Sequence, residues 1–364
     1  MLSVQACADR TVSKRHEYGV HQLVPAEWLY TQSISRFAVY NPAIARFRNQ
    51  LLMAYRVDFG YEKPFRVASA ICLLDENLRV IPESVTPLSD TIDGGAANHY
   101  DARFLVHQER LFVHYNNDWN TIPNQIHLVE LDPDTLEARS PARVLELEGA
   151  RQLCEKNWLL FDHDGELFAV YQIDPHIVLR VDLAGKGPVR CLPIYRSAWD
   201  TTAYTRRYGT LRGGTPPVRI GTKYVSFFHS RMTALSAVTL GPSPIVRKAN
   251  QQQWLAAAGR WFREYFAPVR YYGGLYAFAA EPPFAPTDVI PQPLLRPEHE
   301  GRRRQPTASH MTPRRVVYPC GLVRLDNGQW LVSYGVHDER PVMRVYTHMA
   351  IGDGSSNTQQ GVAP

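Results

Sequence analysis

The chain has 364 residues, of which 45% are hydrophobic and 11% aromatic, so it can bury a large core. Its 40 basic and 35 acidic side chains leave a formal charge of only +5. The one dense basic run, 302–304, lacks interleaved aromatics, which argues against a nucleic-acid partner. No stretch approaches the roughly 18 uninterrupted apolar residues of a membrane span.

Cysteine usage and the first residues predict a cytoplasmic protein. The five cysteines are scattered and never form a Cys-x-x-Cys pair, so neither a disulfide framework nor a zinc site is predicted. The beginning of the chain lacks the apolar run of a secretory signal. We therefore expect a reducing, cytoplasmic setting.

Strand-like segments recur along the chain. Residues 1–40 are predicted to form an extension that supplies a ring-closing strand. A short turn then runs five times into a strand with an aromatic residue near its end, at 51–56, 111–116, 167–172, 224–229 and 330–335. Outer strands are predicted at 67–74, 125–131, 177–181, 274–278 and 343–348.

The spacing of these strands predicts a repeat fold. The aromatic ends are Tyr55, Tyr115, Tyr171, Phe228 and Tyr334, which lie 60, 56, 57 and 106 positions apart. A propeller blade needs roughly 40–50 residues. We therefore predict an all-β, five-bladed β-propeller over 41–350, with a helical and loop insertion in the fourth-blade region and a disordered tail at 351–364. A pair of β-sandwiches is the competing fold, but it would not explain the period.

The enlarged last gap locates the insertion, at about 240–315. Within it, 251–266 has the apolar spacing of a helix, and the Pro- and Arg-rich stretch 282–315 is predicted to be a loop.

Polar residues recur just before and just after the five strands. In a propeller, loops from several blades converge on the central axis, so residues at one phase should meet. Burial could turn one of the carboxylates Asp101, Glu155 and Asp338 into a general acid. A ring of basic and imidazole groups would suit a phosphate. These groups are Arg56, Arg103, Lys156, His176, Arg212 and His229.

Aromatic and amide groups at the same phase are predicted to bind sugar. Tyr100, Trp158 and Tyr318 could stack on sugar faces, and Asn157 stands beside Trp158. Together with Glu155 and Asp338 they form the predicted sugar-binding set. For any one of these residues, a purely structural role is about equally compatible with the sequence, so the prediction depends on the group.

These residues resemble glycoside hydrolase family 130, which contains β-mannoside phosphorylases, hydrolases and related five-bladed mannosyltransferases. The resemblance spans about 41–338 and is carried by a few short elements. They are Glu155-Lys156-Asn157-Trp158, Tyr171, Pro175-His176, Gly213-Gly214-Thr215-Pro216, His229, Tyr318-Pro319 with Gly321-Leu322, and Ser333-Tyr334-Gly335.

The resemblance implies roles for individual residues. Tyr100-Asp101-Ala102-Arg103 is the best match to the family's Glu-Asp-Pro-Arg motif, so Asp101 would be the proton donor. Arg56, Arg103, Lys156 and His229 resemble phosphate-side residues, and His176 lies in the matching Pro-His element. Two positions depart from the family pattern, because Tyr replaces Glu at 100 and Ala replaces Pro at 102.

The predicted function is inverting glycosyl transfer on mannosides or similar glycans. Phosphorolysis, or its reverse with a sugar 1-phosphate, is the leading reaction, with inorganic phosphate as co-substrate and neither metal nor other cofactor. The alternatives are transfer from a nucleotide sugar such as GDP-mannose, hydrolysis, and a non-catalytic carbohydrate-binding propeller. Homo-oligomerisation stays open.

Overall fold

The computed structural model describes residues 12–31, 33–60, 66–117, 124–152, 155–233, 269–301 and 314–349. This part of the chain is mostly β-structure, as predicted, with a few short helices. The predicted helix at 251–266 and the predicted tail at 351–364 lie outside it. Among the described residues, no helix is long and apolar enough to cross a membrane.

The strands follow one another as antiparallel meanders. Strand β1 (Val12–Glu17) is followed by the first meander, β2 (Ala38–Phe47), β3 (Gln50–Asp58) and β4 (Val67–Leu74). The second meander contains β5 (His99–His107), β6 (Arg110–Asn117), β7 (Gln125–Leu131) and β8 (Arg143–Leu147). The third contains β9 (Leu159–His163), β10 (Glu166–Gln172), β11 (His176–Asp182) and β12 (Val189–Ser197).

The fourth meander contains β13 (Thr210–Gly213), β14 (Val218–Ile220), β15 (Lys223–Thr233), β16 (Val269–Ala279) and β17 (Pro286–Val289). After β18 (Arg314–Arg315), which pairs with β16, the fifth contains β19 (Val317–Arg324), β20 (Trp330–Val336) and β21 (Arg340–Tyr346). In the part of the chain that is described, four α-helices lie between these strands, namely α1 (Val20–Leu23), α2 (Ala26–Leu29), α3 (Leu88–Asp93) and α4 (Thr202–Tyr208).

The sequence prediction of strands was largely confirmed. All five aromatic-ended segments lie in strands, namely β3, β6, β10, β15 and β20, and the predicted outer strands 67–74 and 125–131 have the observed bounds of β4 and β7. The loop prediction was wrong over Pro286–Val289, which forms β17 because it pairs in antiparallel register with β16.

Each meander packs between two others. Alternate residues of β3 face opposite sides: Met53 and Tyr55 pack against the fifth meander, and Leu52 and Ala54 against the second. The remaining core clusters join the second meander to the third, the third to the fourth and the fourth to the fifth. The order of packing is therefore cyclic.

The aromatic strand ends share one orientation in this cycle. Tyr55 packs in the core between the first and fifth meanders, and Tyr115 in the core between the second and first. Tyr171, Phe228 and Tyr334 likewise pack in the cores that join their own meander to the preceding one. The repeated aromatic is thus a repeated packing contact.

Strand β1 is held to the last meander by pairing and by charge. It pairs antiparallel with β21, which is the pairing expected of a ring-closing strand. The buried Glu300 carboxylate accepts hydrogen bonds from Arg15 of β1 at 2.8 Å, from Arg344 of β21 at 2.6 Å and from the Tyr334 hydroxyl at 3.1 Å. A buried carboxylate needs such partners.

His176, predicted to bind an anion, lies in an aromatic core. Its ring centroid is 5.2 Å from that of Phe278 and 6.0 Å from that of Tyr276, and the residue is 1% exposed. Its Nε2 is buried without a hydrogen-bond partner among the described residues. Burial lowers the pKa of His176 to about 4. We therefore assign His176 to the core and leave it out of the proposed anion site.

The burial of His176 predicts that the free energy of unfolding decreases in acid. Since the folded-state pKa is about 4 and the ordinary value is 6.5, the unfolded chain binds more protons between these values, and stability falls as pH drops through that window. The loss should approach about 3 kcal/mol at its acidic end. His176→Phe should flatten this part of the pH profile of the free energy of unfolding, measured with denaturant. The matched control is His21→Gln, at an exposed histidine, which should leave the pH profile unchanged. An equal slope in His176→Phe and the parent would contradict the assignment.

Candidate active site

The first strands of the first, second and fifth meanders each carry a bulge. The register of β2 with β3 shifts after Tyr40, that of β5 with β6 after Tyr100, and that of β19 with β20 after Pro319. Asn41 and Asp101, which follow the two tyrosines, are left-handed, with φ of 52° and 55°. Asn and Asp tolerate this conformation better than most residues. Because a bulge re-aims a side chain, Asp101 is set apart from the regular alternation of β5.

Asp101 is half-buried and is held by Asn41. One of its carboxylate oxygens accepts a hydrogen bond from Asn41 Nδ2 at 2.8 Å. Within the described ranges, Asp101 forms no ion pair with Lys, Arg or His. Gly335 of β20 leaves the room for this contact, since a Cβ there would lie 2.0 Å from Asn41 Oδ1. The first, second and fifth meanders together therefore position this carboxylate.

The positive charge of Arg56 is already matched. Its guanidinium donates from Nε and Nη2 to the two carboxylate oxygens of Asp58, at 2.7 and 3.2 Å, and the Tyr40 hydroxyl donates to the same carboxylate at 2.7 Å. The guanidinium also lies over the rings of Tyr40 and Tyr100, 4.8 and 5.4 Å from their centroids. Arg56 is thus a rigid donor whose charge is largely neutralised.

Arg103 is buried among carbonyl oxygens. Its Nε donates to the carbonyl of Gly214, in the fourth meander, at 2.9 Å, and its Nη1 donates to the carbonyls of Asp101 and Ala102 at 3.1 and 3.0 Å. Its guanidinium lies 5.2 Å from the Tyr318 ring centroid. It forms no ion pair with a carboxylate in the part of the chain that the structure describes. The guanidinium therefore keeps its charge while it ties the second meander to the fourth.

Lys156 and Arg212 are positive charges beside a neutral histidine. Arg212 of β13 pairs in register with His229 of β15, and the His229 Nδ1 lies 2.9 Å from the carbonyl oxygen of Gly213. Burial lowers the pKa of His229 well below its ordinary value, and the charges of Arg212 and Lys156 lower it further. Neither cation forms an ion pair among the residues that are described.

Tyr318 of β19 contacts both Asn157, which lies just before β9, and His229 of β15. Its hydroxyl donates to Asn157 Oδ1 at 2.5 Å, and its ring centroid lies 4.6 Å from that of His229. Asn157 is left-handed, with φ of 65°, and its carbonyl oxygen would be 2.0 Å from a Cβ at Gly213. This close approach is the physical reason for glycine at 213.

Glu155 and Trp158 form a buried unit with each other. The Trp158 indole N–H and the Tyr171 hydroxyl each donate to the Glu155 carboxylate at 3.2 Å, and the backbone N–H of Gln152 does so at 2.6 Å. Burial raises the pKa of Glu155 although these bonds oppose it. Trp158 is 1% exposed and packs in the core between the second and third meanders. We therefore assign both residues to the scaffold and not to the proposed sugar site.

Asp338 lies at the turn between β20 and β21, half-buried and left-handed with φ of 58°. Burial raises the pKa of Tyr40, and the charges of Asp58 and Asp338 contribute in the same direction. Asp338 is therefore close enough to Tyr40 to act on it electrostatically.

Sequence reasoning missed three polar partners in the site, Tyr40, Asn41 and Asp58. A signal for the first two was present, because Tyr40-Asn41 precedes Tyr100-Asp101 by 60 positions, the same interval that separates Tyr55 from Tyr115. Asp58 had no comparable signal. In the described ranges, no three His, Cys, Asp or Glu side chains are grouped so that they could hold a metal ion.

By sequence, the chain matches no protein-family model and no curated protein. By structure, it is similar to the β-1,2-mannobiose phosphorylase of Listeria innocua, with a TM-score of 0.54 and 14% identity over 92% of this chain and 97% of the other. A glycosyl hydrolase from Bacteroides ovatus has a TM-score of 0.53 and 12% identity over 85% and 84% of the two chains.

A third similar structure comes from the GH130 family of mannoside phosphorylases. This family contains glycoside hydrolases that target β-1,2 mannosidic linkages in Candida mannan. The TM-score of this third structure is 0.55 and its identity 13%, over 85% of this chain and 84% of that one. At these identities the likeness concerns the fold. The chain has the fold of glycoside hydrolase family 130.

Proposed function

We propose that the chain is an inverting glycoside phosphorylase that acts on mannosides, built as a five-bladed β-propeller. Among the described residues, five meanders, core clusters in cyclic order and the pairing of β1 with β21 support five blades closed into a ring. The parallel pairing of β8 with β12 joins the second and third meanders into one eight-stranded sheet. The fold shared with a β-1,2-mannobiose phosphorylase supports mannosides as the substrate class. We take 41–350 as one catalytic unit in the cytoplasm, with phosphate as co-substrate and no other cofactor.

One observation carries this proposal: a carboxylate and unmatched cations stand on two sides of one connected set of residues. Asp101 lies on one side with Arg56 and Tyr100, while Lys156, Arg212 and His229 lie on the other. Arg103 and Tyr318 connect them. A phosphate needs positive charge that is not already neutralised, and only the second side offers a pair of such cations among the described residues.

The separation of Asp101 from the unmatched cations indicates which group would act on the leaving oxygen and which would hold the phosphate. Phosphate, held by Lys156 and Arg212, would attack the anomeric carbon with one oxygen as the glycosidic carbon–oxygen bond breaks. The leaving oxygen would receive a proton that originates from Asp101 and passes through a sugar hydroxyl. The products are a sugar 1-phosphate of inverted configuration and a free sugar. Arg56, with its charge matched by Asp58, is better suited to donate to sugar hydroxyls than to hold the phosphate.

The first test of this function is the reverse reaction. With mannose 1-phosphate and a sugar acceptor, the protein should release phosphate in an acceptor-dependent manner. Asp101→Asn should lower the turnover by about 10²–10⁴-fold, the usual contribution of a general acid, while ligand binding is kept. Asp326→Asn, at an exposed turn, is the matched control. Absence of phosphate release with every acceptor would contradict the proposal, and release of GDP from GDP-mannose instead would favour a nucleotide-sugar transferase.

The second test separates the two sides of the site. Lys156→Ala and Arg212→Ala should each raise the KM for phosphate in phosphorolysis of a mannobiose by about 10-fold or more, because each removes a charge-assisted hydrogen bond to the anion. The KM for the mannobiose should change little. Arg219→Ala removes an exposed arginine that pairs with Asp164 and Glu281 and should change neither. A higher KM for the sugar alone would place the anion elsewhere.

The third test concerns how Asp101 is positioned. Asn41→Gly keeps the left-handed backbone available but removes the hydrogen bond to Asp101, and should lower kcat by about 10-fold with the KM for phosphate unchanged. Gly335→Ala should act in the same direction, since its Cβ would displace the Asn41 side chain. An unchanged kcat in Asn41→Gly would show that Asp101 does not need this contact.

A further inference from the structure

The hydrogen bond made by His229 defines its tautomer. Its Nδ1 lies 2.9 Å from the carbonyl oxygen of Gly213, and a carbonyl oxygen can only accept. Nδ1 must therefore carry the proton, so in the neutral ring Nε2 is an acceptor with a lone pair. Among the described residues, Nε2 has no hydrogen-bond partner, and this nitrogen is not fully buried.

The surroundings of His229 keep the ring neutral. The residue is 2% exposed, and its ring packs against Tyr318 and Tyr271, with centroids 4.6 and 5.4 Å away. Burial lowers its pKa well below the ordinary value, and the positive charges of Arg212, Lys156 and Arg103 act in the same direction. His229 therefore adds no charge to the cation pair.

We propose that His229 makes the anion site selective for an oxyanion that carries a proton, such as hydrogen phosphate, over one that carries none, such as sulfate. This inference rests on the proposed function, because it places the anion between Lys156 and Arg212. Hydrogen phosphate can direct its O–H at the Nε2 lone pair while its other oxygens accept from the cations. Sulfate has the same charge and nearly the same size, but it would set an oxygen lone pair against the lone pair of Nε2.

The test compares four dianions that form two matched pairs. Hydrogen phosphate and hydrogen arsenate carry a proton at mildly alkaline pH, while sulfate and selenate do not. Affinities for the full chain are measured by calorimetry at constant ionic strength. We expect each protonated anion to bind at least about 10-fold more tightly than its partner, the effect of one hydrogen bond that cannot form.

The outcomes distinguish this inference from the proposed function. Equal binding of all four anions would overturn the selectivity of His229 and leave the anion site standing, as would tighter binding of sulfate than of phosphate. Binding of none of them would overturn the anion site and the proposed function with it.

A substitution at His229 tests the residue itself. His229→Gln places an amide near the position of Nε2, and its N–H can donate to any oxyanion. The ratio of phosphate to sulfate affinity should therefore fall toward one in this variant. Full selectivity in folded His229→Gln would show that another group discriminates. The ratio in the parent protein tests the inference even where the variant does not fold.

Discussion

Every meander of this protein packs between two others, so its central strands must bury both faces. In β3, Met53 and Tyr55 face one neighbour while Leu52 and Ala54 face the other. A shift of one residue would exchange the two sets and place each against the wrong partner. The aromatic residue near the end of each central strand packs toward the preceding meander, so a single local pattern, used five times, orders the packing of the whole chain.

The same packing brings the first strands close together and determines what the site can contain. Glycine is required where backbones and side chains approach across meanders, as at Gly213 beside the Asn157 carbonyl and at Gly335 beside the Asn41 amide. Bulges then turn Asn41 and Asp101 out of the regular strand pattern. The proposed proton donor thus depends on contacts made by three different meanders.

The arginines and lysine of the site are chemically distinct because their surroundings differ. Arg56 is matched by Asp58, and Arg103 is surrounded by carbonyl oxygens. Lys156 and Arg212 have no carboxylate partner within the described ranges. They flank a histidine that stays neutral. A set of cations that looks uniform in the sequence therefore divides into an arginine whose charge is matched, an arginine that links two meanders, and a pair of unmatched cations.

The sequence was sufficient to place the strands and to group most of the candidate residues, since period and phase are local properties of the chain. In the structure, one series of contacts connects Asp101, Arg103, Tyr318, Asn157, His229 and Arg212. The same phase also selected Trp158 and His176, which are core residues. Phase along a strand does not reveal which face a neighbouring meander covers, so burial could not be predicted for them.

The repeat, the strand-rich architecture and the positions of the central strands follow from the order of residues alone, because alternation of apolar side chains and turn residues act over a few positions. Tertiary structure, in contrast, determines which charged side chains have a partner. The bond from Arg103 to Gly214 spans 111 positions and that from Tyr318 to Asn157 spans 161. These residues come into contact only when the meanders pack against one another. The charged and polar groups that surround Asp101, Lys156 and His229 are therefore determined by tertiary structure.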